Sequence, residues 1–122
     1  MLQEDYVSFE TAKKLKEKGF PQDCRFGQLR YSVDGERYIP QESNCEFCCA
    51  CPTLSLVQKW FREEKKIYLD VISETNGKWE NGVVYEFSIM KQGLDNLEID
   101  LVIYDTYEEA LSAGINKALE LI

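Results

Sequence analysis

Val83-Val84-Tyr85-Glu86-Phe87-Ser88-Ile89 decides the fold: Val83, Tyr85, Phe87 and Ile89 fall on one side of an extended chain, and the residues between them on the other. The flanking runs alternate in the same way, with Ile67, Leu69 and Val71 on one face before it and Leu97, Ile99, Leu101 and Ile103 after it. Asn76-Gly77 and Asn81-Gly82 shape the first connection, and Gln92-Gly93 with Asp95-Asn96 the second. Three strands so joined make an antiparallel meander in the simplest topology.

Working outward, Thr106 and Glu109 form a capping box. Behind it Tyr107, Ala110, Leu111, Gly114, Ile115, Ala118, Leu119 and Ile122 keep helical spacing. Gly114 inside that apolar stripe points to a close approach between helix and sheet. Upstream of the meander, Thr53 caps a helix that carries Leu56, Val57, Trp60 and Phe61 on one side and ends at Lys65-Lys66, where cations suit the negative end of the dipole. Gln28 to Ile39 reads as a hairpin around Asp34-Gly35. Nearest the N-terminus, Phe9, Ala12 and Leu15 make a helical stripe with Ser8 as N-cap, Val7 as staple and Gly19 as the left-handed terminator. The expected fold is therefore α+β, a single domain over residues 1–122. About three helices lie on a mainly antiparallel sheet of a hairpin plus a three-stranded meander, in the order α-β-β-α-β-β-β-α.

With 44% apolar residues, 12% of the chain aromatic and 122 residues in all, a core can form without disulfides or metal. Twenty-two acidic against 14 basic residues leave a formal charge of −8, whose field repels phosphate backbones and anionic lipid. Direct nucleic-acid binding is not expected. Histidine is absent, which removes the commonest general base and the Cys-His and Ser-His-Asp constellations, and no phosphate-cradling glycine motif occurs. No catalytic residue is therefore assigned. Glu63-Glu64 and Glu108-Glu109 are adjacent helix residues that point apart, and so do not form a paired-carboxylate site. No run nears the roughly 20 apolar residues that span a bilayer, and Met1-Leu2-Gln3-Glu4-Asp5 lacks the basic start and apolar run of a leader. The expectation is a cytoplasmic protein with no membrane contact, whose thiols stay reduced.

Pro52-Thr53-Leu54 through Gln58-Lys59-Trp60-Phe61-Arg62-Glu63 resembles a segment shared by short uncharacterised proteins of gut-bacterial prophages and mobile elements. Two further stretches are similar to theirs, Tyr6 to Lys13 and Thr106-Tyr107-Glu108-Glu109-Ala110 through Lys117 to Ile122, so the resemblance covers most of the chain. It implies a bacterial mobile-element origin and brings no activity, cofactor or partner with it.

Specific chemistry has one candidate location. Cys45, Cys48, Cys49 and Cys51 lie within seven residues, in a stretch from Pro40 to Pro52 that shows neither helical nor strand period and reads as an exposed Cys-rich loop, residues 40–52. Cys45, Cys48 and Cys51 have the C-x-x-C-x-x-C spacing of three iron–sulfur ligands, and Cys24 or Cys49 would have to supply a fourth; a four-thiolate zinc site is similar in its demands. Against that stands a loop of unligated thiols, dispensable for folding and holding no cofactor. Trp79, in the polar turn from Asn76 to Gly82, is the candidate for an exposed contact, although it could equally fold back over its own hairpin. The functional expectation is a small acidic accessory protein that is not an enzyme and acts by binding another protein. The alternative is a zinc or iron–sulfur protein built on the cysteines.

Overall fold

The computed structural model describes residues 4–22, 29–39, 48–75, 82–91, 97–99 and 102–122, with the backbone alone at 97–99. Among them are three α-helices and six strands in the expected α+β order, with one short strand added. The chain's contacts gather into two compact units, Met1–Thr53 and Leu54–Ile122. No helix among the described residues is long and apolar enough to cross a membrane.

In the first unit, α1 (Phe9–Glu17) begins where the Ser8 hydroxyl accepts from Thr11 N at 3.2 Å, and ends before Gly19, whose φ of +95° only glycine adopts cheaply. Ala12 and Leu15 are buried beneath it with Val7, as the stripe requires. The hairpin forms as expected: β1 (Arg30–Tyr31) pairs antiparallel with β2 (Arg37–Tyr38) through a turn in which Ser32 N donates to Glu36 O at 2.8 Å. Gly35 in that turn has φ +85°, and a Cβ there would lie 2.8 Å from the Phe9 ring.

β3 (Cys49–Ala50) pairs antiparallel with the other edge of β1, giving the order β2-β1-β3. The reading of residues 40–52 as an exposed loop thus fails for its last part, since Cys49 is 0% and Cys51 3% exposed. Cys49 and Cys51 alternate with Ala50, and an unligated cysteine packs as a small hydrophobe, so the strand period was present but carried by thiols.

In the second unit, α2 (Leu54–Trp60) runs into a π-helical turn over Phe61–Lys65. Lys66, left-handed at φ 56°, closes it by donating its N–H to Phe61 O. Leu54, Val57, Trp60 and Phe61 are buried, whereas Leu56 is exposed: two positions from Leu54, it lies about 200° round the helix from it. The meander is β4 (Ile67–Thr75), β5 (Val83–Lys91) and β6 (Leu97–Ile99), antiparallel throughout and in that order. Ile103, expected to share a face with Leu97 and Ile99, is exposed, beside Tyr104, which bridges to Tyr85.

Helix α3 (Tyr107–Leu119) is capped by Thr106, whose hydroxyl accepts from Glu109 N at 3.1 Å. Its buried stripe runs Ala110, Leu111, Gly114, Ile115, Ala118, Leu119, while Tyr107 stays exposed at the first turn. Gly114 makes the close approach: a Cβ there would meet Leu69 Cδ1 at 2.6 Å and Phe87 Cγ at 3.2 Å. Burial of Leu111, Ile115 and Leu119 contributes at most about 1.5–3 kcal/mol each.

Candidate functional site

The described cysteines are held by backbone pairing. Cys48 N donates to Tyr31 O at 3.0 Å and Cys51 N to Leu29 O at 3.2 Å, which fixes the strand against β1. Ala50, whose N–H turns to the free side, is satisfied by Gln22 Oε1 at 2.8 Å. Lys16, in the last turn of α1, donates from Nζ to Cys48 O at 2.6 Å. Tyr31 stacks at a tilt on Phe9, with ring centroids 5.2 Å apart, and its hydroxyl donates to Val7 O.

Among the described thiols, half-buried Cys48 neighbours Cys49, and Cys51 neighbours the Tyr31 phenol. Burial pushes the Cys49 thiol up to about 12, with the neighbouring Cys48 adding to the rise and Lys16 opposing it. Burial also raises Cys51, against a lowering by the Tyr31 hydrogen bond and the Arg37 charge. Tyr31 itself is raised, by burial first and then by Cys51. Burial thus favours the protonated form of both thiols, which is a poor nucleophile; a metal ion would have to displace those protons.

Of the expected metal set, Cys45 and Cys24 lie outside the described residues, as does Trp79. Cys48 and Cys51 are described, and among the described residues no three Cys, Asp or Glu side chains are grouped to hold a metal ion. Tyr31, Gln22 and Lys16 were not legible as part of this cluster, because each reaches it across the fold.

A second location lies on the meander. Its inner face carries Ile67, Leu69, Val71, Phe87 and Ile89 toward α3, and its outer face carries the cross-strand pairs Tyr68–Met90, Asp70–Ser88, Ile72–Glu86 and Glu74–Val84. Met90 is 49% and Ile72 37% exposed on that face, with Asp70 and Glu74 exposed between and beyond them, while Val84 and Ser88 of the same face are buried. None of the eight residues is cationic. The alternation of Ile67, Leu69 and Val71 already implied an outer face, but not that its own members would include uncovered apolar side chains.

No family model matches the chain, and neither a curated protein nor a solved structure matches it.

Proposed function

We propose that the protein is a non-enzymatic accessory protein, cytoplasmic and of bacterial mobile-element origin, that works by binding another protein. The observation that carries this reading is the outer face of the β4–β5 pair, where Tyr68, Met90 and Ile72 are apolar and two of them are exposed, while the opposite face is filled by α3. An apolar centre set among carboxylates has the composition of a contact surface. The absence of histidine and of nucleotide motifs supports the non-enzymatic part, and the charge of −8 disfavours nucleic acid and anionic membrane as partners. The thiols of Cys49 and Cys51 are read as core, and the protein-contact reading does not call on zinc or an iron–sulfur cluster.

Affinity capture from the native host tests this. Wild-type protein should return a reproducible partner that the double substitution Ile72→Asp/Met90→Asp loses, with the circular dichroism of the variant unchanged. Capture that returns nothing, or a partner held equally by the folded double variant, counts against it.

A further inference from the structure

Among the described residues, the outward edge of β4 beyond Leu69 has no strand paired to it. Tyr85 and Tyr104 exchange both backbone bonds, Tyr85 N to Tyr104 O at 3.0 Å and Tyr104 N to Tyr85 O at 2.8 Å. Odd-numbered residues of β5 therefore turn their N–H and C=O groups toward β6, and even-numbered ones toward β4. Through the register that pairs Tyr68 with Met90 and Ile72 with Glu86, the even residues of β4 bond β5, and Ile67, Leu69, Val71, Ser73 and Thr75 turn outward. The Gln58 side-chain amide donates to Leu69 O at 2.7 Å, which agrees with that polarity and closes the first part of the edge. Beyond it, no described residue bonds the outward groups of Val71, Ser73 and Thr75, and Ser73 and Thr75 are exposed.

Charge decides what fits there. A strand added at this edge places side chains on the outer face beside Asp70, Ile72 and Glu74. A second copy pairing β4 with β4 is disfavoured in the antiparallel registers centred on the open edge: centred on Ile72 it sets Asp70 opposite Glu74, centred on Glu74 it sets Glu74 opposite itself, and centred on Ser73 it leaves the two Glu74 side chains diagonal neighbours. A strand with cations four residues apart and an apolar residue midway places each cation opposite a carboxylate and the apolar side chain opposite Ile72.

We infer that the Val71–Thr75 edge accepts, by strand addition, an extended segment of a partner protein with the pattern cation-x-apolar-x-cation. This rests on the reading that the protein works by protein contact, and it names the partner's chemistry. Backbone bonds to the edge supply register, and lysine or arginine stems cover Ile72 while their heads reach Asp70 and Glu74.

The probes are two capped peptides, Lys-Thr-Val-Thr-Lys and Glu-Thr-Val-Thr-Glu, titrated into the full chain with amide NMR. The lysine peptide should shift the Val71, Ser73 and Thr75 amides, and bind at least about tenfold more weakly in Ser73→Pro, which removes one outward donor and spares the β4–β5 ladder. Asp70→Lys/Glu74→Lys should reverse the preference to the glutamate peptide, a gain that misfolding cannot mimic. Equal binding of the two peptides, or shifts confined to other residues, overturns the inference. So does a dimer that Ser73→Pro makes monomeric, which would give the edge to a second copy. A captured partner that needs Met90 but ignores Ser73→Pro removes this inference alone, whereas the absence of any partner removes the wider reading.

Discussion

Replacing Gly114 by alanine is expected to weaken the second unit even though alanine is the better helix former. In an unconstrained helix interior the exchange would stabilise by about 1 kcal/mol. Here the new methyl arrives 2.6 Å from Leu69 Cδ1 and 3.3 Å from Phe87 Cβ. Both side chains are buried, so neither can swing into water; Leu69 must leave its rotamer or α3 must lift from the sheet. Overpacking of this kind costs about 1–3 kcal/mol. The net effect is a loss of up to about 2 kcal/mol, read by urea unfolding followed by far-ultraviolet circular dichroism. The second background makes the test specific. Leu69→Ala alone should cost about 2–5 kcal/mol, and with Cδ1 gone, Gly114→Ala should become neutral or stabilising there, a coupling of about 1–3 kcal/mol. A Gly114→Ala variant more stable than wild type, or one equally destabilised in both backgrounds, would refute the account of the helix–sheet approach.

Three further outcomes follow from named residues. Cys49, Cys51 and Tyr31 all have protonation equilibria raised by burial, so the stability they contribute is complete below about pH 9, the unfolded thiol value, and is lost as pH rises toward about 12; a melting temperature that stays flat to about pH 11 contradicts this. Cys48→Ser should be nearly neutral, whereas Cys49→Ser and Cys51→Ser each place a hydroxyl in the core and should cost about 1–3 kcal/mol, with full stability of the combined variant as the contrary result. Lys66→Gly should stabilise by about 0.5–1 kcal/mol by relieving a left-handed residue at φ 56°, and a lower melting temperature would show that the Lys66 Nζ bond to Glu63 O matters more.

The helices and strands were legible because their signals are local. Ser8 and Thr106 cap the helices they were read to cap, Gly19 and Gly35 take the positive φ their neighbours demand, and Gly114 touches the sheet. What failed depends on three-dimensional context. Leu56 looks apolar enough for the core, yet the buried arc of α2 is fixed by Leu54 and Val57. Cys49 and Cys51 read as chemistry because thiols are counted as reactive before they are counted as hydrophobic, and only pairing with Tyr31 and Leu29 shows that they are strand residues. The outer face of the meander is similar: alternation separates its residues from the inner ones, but which stay uncovered depends on packing.

The most direct test of the contact reading is photocrosslinking in the native host from a photoreactive amino acid at position 90, with position 33, which is still more solvent-facing, as a control in the hairpin turn. The account predicts one discrete crosslinked protein from position 90, none from position 33, and its loss when Ile72→Asp is added. No product from position 90, or the same products from both positions, would contradict it.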